Sequence, residues 1–172
     1  MASVRSFIDR IGTEEDVSLK NATDVEKGDS VEKADSHVEW EPLWLSLLTR
    51  PWSALTVIGS DTSADVSRVA DVLASVGNRQ GARSVRVVSA LRATTPPEVQ
   101  DIVKQLSDAP TAGDLILVPC DPLQANPAML PILHATSGVV LVVRLGESRI
   151  ASARKTVSTI GRDKVFATVT IG

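Results

Sequence analysis

From Ser53 onward the chain repeats one unit: a short run rich in Val, Ile and Leu, a loop of small or polar residues, then a helical pattern. A strand that is almost continuously apolar is one buried on both faces, so helices must cover both faces of a mostly parallel sheet. That restricts the fold class to α/β. Five strands are expected, at Ala54–Gly59, Ser84–Ala90, Asp114–Pro119, Gly138–Arg144 and Lys164–Ile171. Helices fit between them at Asp65–Val76, Pro97–Leu106, Ala128–Ala135 and Ser148–Ile160. Sheets of this kind bind ligands outside the carboxyl ends of their strands, which makes the loops after the strands the place to look for chemistry.

The first of those loops is laid out for phosphate and lacks the means to hold it. Ala54–Gly59 is the apolar strand, Ser60–Ala64 a polar loop of small residues, and a helix follows directly. In a P-loop the backbone amides cradle phosphate oxygens, a lysine reaches the outer phosphates, and a Ser or Thr hydroxyl helps hold magnesium. Here Ser67 supplies the hydroxyl, but no lysine occurs between Lys33 and Lys104. Asp61 and Asp65 sit in the loop instead, and their charges would repel a triphosphate.

Charge divides the chain. Residues 1–52 hold 6 basic and 11 acidic side chains and residues 53–172 hold 12 and 10, so the net charge of −3 belongs to the N-terminal part. A near-neutral folded part has no broad basic field, which argues against nucleic-acid binding through phosphates. Arg79, Arg83 and Arg86 form a local basic spot, read as a solvated helix end and strand start. Residues 13–38, mostly Glu, Asp, Lys, Ser and Thr, cannot bury enough surface to offset their ordering entropy, so residues 1–38 are expected to be a disordered tail. Within it Val4, Phe7, Ile8 and Ile11 lie at i, i+3, i+4 and i+7, the stripe of a short amphipathic helix over 4–11. Held on a tether that reaches roughly 30 Å, Phe7 and Ile8 are candidate partner contacts; folding back on the domain is the alternative.

Residues 39–52 contain all three tryptophans and lead into the domain at 53–172. Pro42 suits a first helical turn, Pro51 ends the helix, and Leu43, Trp44, Leu47 and Leu48 make its apolar face. That face is expected to pack on the domain, with Trp40, Trp44 and Trp52 as partner contacts if it does not. No long apolar run spans a membrane, no secretory signal begins the chain, and the expected location is cytoplasmic. His134 has no neighbour at metal-ligand spacing and reads as structural, so no metal site is expected. Cys120 with Asp121 and His134 matches no hydrolase spacing; the cysteine reads as buried and inert. Asp121, just past a strand end, is a candidate ligand-site carboxylate.

From Leu55 to the end, about two thirds of the chain, the sequence resembles the cytoplasmic ATPase domain of bacterial tyrosine kinases and their relatives in polysaccharide export, close to ATPases of ParA/MinD type. The resemblance rests on VSRVADVLASVG (66–77), GDLILVPCDPL (113–123), GVVLVVRLGESRIASARKTVSTIG (138–161) and the closing KVFATVTIG. It implies a P-loop-like fold whose catalytic letters are missing. The family's loop lysine falls on Val66 and its two loop glycines on Ser63 and Asp65, leaving Ser67 as the match beside Asp61 and Thr62. Its second-motif aspartates fall on Ser89 and Leu91, and its third-motif aspartate on Pro119, with Asp121 two residues later. The base-binding Asn is not matched at Ile171–Gly172, and the family's phosphorylated tyrosine tail has no counterpart in a chain without tyrosine.

Phosphoryl transfer depends on positioned cations and metal ligands, so four such losses together imply a pseudo-ATPase with no cofactor. The resemblance then implies a non-catalytic scaffold of exopolysaccharide synthesis or export. Such a protein would dock on a membrane polysaccharide co-polymerase, be peripheral to the inner membrane through that partner, and could form homo-oligomers. The alternatives are an atypical ATPase or nucleotide sensor binding ATP and magnesium through the amides of Thr62–Ser67 with Arg68 or Arg92 as cation, and a polarity regulator of ParA/MinD type.

Overall fold

The innermost strands are buried at every residue or nearly so: β1 (Ala54–Gly59), β3 (Leu115–Cys120) and the first six residues of β4 (Gly138–Arg144). Side chains alternate across a strand, so such runs must be covered on both sides. The computed structural model describes residues 39–62, 64–81 and 83–172, without the side chains of 109–112. The remaining elements are α1 (Trp40–Leu47), α2 (Val66–Gln80), β2 (Val85–Val87), α3 (Pro96–Ala112), α4 (Leu130–Ala135), α5 (Ile150–Ile160) and β5 (Val165–Ile171). All neighbouring strands are parallel, in the order β2-β3-β1-β4-β5.

Alternation along β1 splits the core in two. Ala54 and Ile58 join Ile102 and Leu106 of α3, Ile132 of α4 and Ala153 of α5 on one face. Leu55 and Val57 join Val69 and Leu73 of α2 and Leu43, Trp44 and Leu47 of α1 on the other. The expected α/β sheet with helices on both faces is therefore the observed one. Its expected third strand ends one residue later, at Cys120, and the helix expected over Asp65–Val76 runs on to Gln80. The expected strand Ser84–Ala90 is shorter, Val85–Val87, although Val88 and Ala90 still donate backbone hydrogen bonds to Leu117 and Pro119 of β3. As the edge strand, β2 has a ladder on one side only, and its outer groups set no second register.

The Trp-rich helix is part of this core. Trp44 and Trp52 are 2% and 7% exposed, meet edge to face at 5.7 Å, and the Trp52 Nε1–H donates to the Leu47 carbonyl at 3.0 Å. The face packs on the domain as expected, and the alternative of Trp44 and Trp52 as partner contacts is corrected because both rings are buried, with Trp40 half-buried against the same core. Leu48, expected on the apolar face, is instead 44% exposed, because the helix ends at Leu47 and Leu48 caps it. Phe7 and Ile8 lie outside the described residues, as does Ser63.

Two basic groups fasten the opposite edge. Arg86 pairs with Asp114 at 2.9 Å and Arg83 donates from Nε to the Gly113 carbonyl at 2.9 Å. Of the expected basic spot, these two cations therefore tie β2 to the approach of β3. At the amino ends of the strands Lys164 donates from Nζ to the carbonyls of Leu133, His134 and Thr136 at 3.1–3.4 Å, closing the C-terminus of α4. The His134 side chain, expected to be structural, is exposed in that last turn.

Candidate functional site

After β1 the chain crosses to β2 on one side of the sheet, and after β3 it crosses to β4 on the other. Connections that leave in opposite directions open a crevice between β1 and β3 at their carboxyl ends. A cavity of about 230 Å³ lies there, lined by Thr62, Ala64, Asp65, Val66, Ser67, Leu91, Arg92, Cys120, Asp121 and Pro122. Three loops thus meet where the sequence pattern placed the ligand site. The volume is below the roughly 300 Å³ at which drug-sized ligand pockets begin.

The first loop folds tightly over the end of β1. A Cβ at Gly59 would stand 2.6 Å from the Asp61 carbonyl oxygen and 3.2 Å from Ala64 Cβ, so glycine is needed for this close approach. Asp65 is the N-cap of α2, and its Oδ1 accepts a hydrogen bond from the Arg68 backbone N–H at 3.1 Å. The first turn of a helix presents orphan N–H groups and a positive dipole end, the features that attract phosphate. Here the chain's own carboxylate meets them. Val66, where the resemblance places the lysine, is 5% exposed; it packs in the α2-side core and also borders the cavity, where it offers no charge. Ser67 does line the crevice and remains able to donate or accept.

A second carboxylate enters from β3. Asp121 Oδ2 accepts from the Arg92 backbone N–H at 2.8 Å and from Asn126 Nδ2 at 3.3 Å. Asn126 Nδ2 also reaches the Ala93 carbonyl at 3.0 Å, while its Oδ1 accepts from the Ala128 N–H at 3.2 Å. This network holds Arg92 in the left-handed region, φ 64°, a conformation that costs a non-glycine residue and is kept only where surroundings enforce it. Asp121 therefore serves as the clamp between the loops after β2 and β3. Pro119, where the third-motif aspartate falls, lies inside β3 paired with Val57, and its carbonyl receives the Ala90 N–H. The two-residue offset of Asp121 is what puts it beyond the strand and into the crevice.

Of the second-motif positions, Leu91 lines the cavity with an apolar side chain, whereas Ser89 is exposed outside the cavity lining, its Oγ accepting from the Leu91 N–H at 3.4 Å. Cys120 is fully buried, and burial together with the neighbouring Asp121 charge pushes its thiol well above the usual range. A thiol held protonated is no nucleophile, and His134 is exposed on α4, outside the cavity lining. Asn126 and the Arg92 backbone were not legible as site elements from sequence, because both act through loop geometry. Among the described lining residues Arg92 is the sole cation, set against the carboxylates of Asp65 and Asp121.

No protein-family model matches the chain, and no curated protein matches it. Among solved structures the chain superposes on one titled "Crystal structure of the chimerical protein CapA2B2", with a TM-score of 0.65 and 11% identity over 81% of this chain and 86% of that one. At that identity the likeness establishes the architecture, and the chain has a P-loop-like α/β fold.

Proposed function

We propose that this chain is a non-catalytic interaction or scaffold protein of bacterial exopolysaccharide synthesis or export, a degenerate tyrosine-kinase-like domain that docks on a membrane polysaccharide co-polymerase. The observation that carries the non-catalytic half is Asp65: its carboxylate accepts the α2 amide that a phosphate would otherwise receive. A phosphate arriving there would meet a like charge at contact distance in place of a lysine. Asp121 adds a second negative group while engaged in clamping Arg92 and Asn126. Catalysis of phosphoryl transfer is almost wholly positioned positive charge, and this crevice is arranged with the opposite sign.

The polysaccharide half is supported by the sequence resemblance, and the likeness to CapA2B2 is the architecture that this reading requires. No described helix is long and apolar enough to cross a membrane, so in this reading the partner brings the domain to the inner membrane. Self-association into homo-oligomers belongs to the same proposal. What is retained in such a protein is a stable surface on a fold that no longer turns over nucleotide.

Isothermal titration of ATP and ADP with magnesium into the full chain tests the reading. No heat and no thermal stabilisation at millimolar nucleotide are expected. Micromolar binding would overturn it in favour of a nucleotide sensor, the second reading, which the position of Arg92 on the crevice wall favours. Loss of that binding in Arg92→Ala would then identify the replacement cation.

A further inference from the structure

Helix α5 differs from its neighbours in outward chemistry. Ala153 and Thr156 are buried beneath it, while Ile150, Ala151, Arg154, Lys155 and Ser158 are exposed. No acidic residue lies between Ser148 and Arg162, and Arg149, Arg154, Lys155 and Arg162 are all exposed. The acid just before the helix, Glu147, pairs with Arg144 at 3.3 Å. By contrast, α3 mixes Glu98, Asp101 and Asp108 with Lys104, and α2 mixes Asp71 with Arg68 and Arg79. Beside the start of α5, Leu145 and Ile150 are each 61% exposed, the most exposed large apolar side chains described. Asp163 follows Arg162, but among the described residues no acidic side chain pairs with Arg149, Arg154 or Lys155, which leaves a cationic helix face with an apolar end.

The rest of the chain carries the complementary chemistry. Residues 13–38 hold eight acidic and three basic side chains, a net of −5, against 12 acidic and 13 basic over residues 39–172. Farther out lie the apolar Val4, Phe7, Ile8 and Ile11. We propose that this N-terminal segment of the same chain, residues 4–38, docks on the outward face of α5, its acidic side chains against Arg149, Arg154 and Lys155 and its apolar ones against Leu145 and Ile150.

The tether makes weak contacts sufficient. A coil of this length reaches roughly 30 Å, about the diameter of a domain of this size. Linked sites see one another at effective concentrations in the millimolar range, so an intrinsic affinity of only about 1 mM gives occupancy near one half. Attraction between exposed charges falls off within a Debye length of about 10 Å at 0.1 M salt, so occupancy drops as salt rises. Docking shields the apolar side chains of the segment until a partner competes for them. This inference is independent of whether nucleotide binds.

The test uses the full chain with a nitroxide on Ser30→Cys, the native Cys120 being fully buried. Paramagnetic broadening of backbone amides is read on α5 and on α3 at low salt and at about 0.5 M salt, where screening is near its short-range limit. The expected result is an intensity loss at α5 at least about twofold larger than at α3, recovered at high salt and abolished in Arg154→Glu/Lys155→Glu. Equal broadening of the two helices, or α5 broadening that survives the charge reversal in a still well-dispersed spectrum, would overturn the proposal.

Discussion

Replacing Gly77 by alanine tests whether the Trp-rich helix is seated on the domain or free to serve a partner. Gly77 lies in α2 without a positive φ, so in isolation alanine should stabilise the helix by about 1 kcal/mol. A Cβ there would stand 2.5 Å from Trp44 Cζ2, 2.7 Å from Trp44 Cη2 and 2.6 Å from Val85 Cγ2. None of these atoms can recede cheaply. The Trp44 ring is 2% exposed and braced edge-to-face by Trp52, while Asn78 holds the Val85 backbone through two hydrogen bonds of 2.9 Å. Overpacking a core of this rigidity costs about 1–3 kcal/mol, and with three clashes the upper part of that range applies. The propensity gain offsets about a third, leaving a net loss of about 2 kcal/mol. For a folded part of this size that is a fall in Tm of roughly 6–10 °C. Thermal unfolding of wild type, Gly77→Ala, Trp44→Leu and the double variant measures it. Trp44→Leu removes the two contacts with the indole and leaves the one with Val85 Cγ2, so in that background Gly77→Ala should cost less than in the wild type, by about 1 kcal/mol. A Tm that rises in Gly77→Ala alone would refute the packing of α1 on α2 and return Trp44 to the surface as a partner contact.

Three further outcomes follow from the site and its supports. Asp65→Ala should cost about 1 kcal/mol through loss of the α2 cap, and Asp65→Ser much less; equal unfolding temperatures for the two would show that the carboxylate does not hold the helix end. Glu98 accepts hydrogen bonds from the Thr95 and Thr94 N–H groups, which hold its carboxyl below its usual value, the Thr95 contacts contributing most. Its contribution to stability is thus fully present above the ordinary glutamate value and is lost as pH falls through the lowered one. Glu98→Gln should flatten that part of the stability curve in acid titration, and an unchanged slope would contradict the assignment. Cys120 should resist a thiol reagent in the native protein and react only when denaturant opens the fold; native-state labelling faster than unfolding would show that the thiol is accessible through the crevice.

The parts of the fold that could be read from the residues are those governed by local rules. β1 and β4 fall where their apolar runs predicted, because burial on both faces leaves a continuous signature. The helix over Pro96–Ala112 carried a start signal that went unread: Thr95 and Glu98 have the spacing of a capping box, and the Glu98 carboxylate does accept the Thr95 N–H at 3.0 Å. Leu48 was misplaced because periodicity gives a face and not the residue at which a helix stops. The exposure of His134 was not legible because an apolar neighbourhood in sequence says nothing about which side of a short helix meets the core. Within the site, Asp121 was visible as a carboxylate past a strand end, whereas its clamp on Arg92 spans 29 residues and depends on how two parallel strands are registered.

By itself the sequence determined the parallel α/β plan, the position of the loops after its strands and the absence of a lysine from the first of them. Each follows from period, composition and backbone propensity, which act over a few residues. Tertiary structure decided what occupies the crevice beyond the first strand. Val66 packs in the α2-side core and Asp121 braces two loops through contacts whose partners the chain order does not specify, whereas the Asp65 cap reaches only to Arg68, three residues on. It also decided that Trp44 and Trp52 belong to the core, since their burial depends on α1 lying across α2 at Gly77. Hydrogen bonds and packing act over ångströms between residues far apart along the chain, and a sequence read one window at a time does not contain those distances.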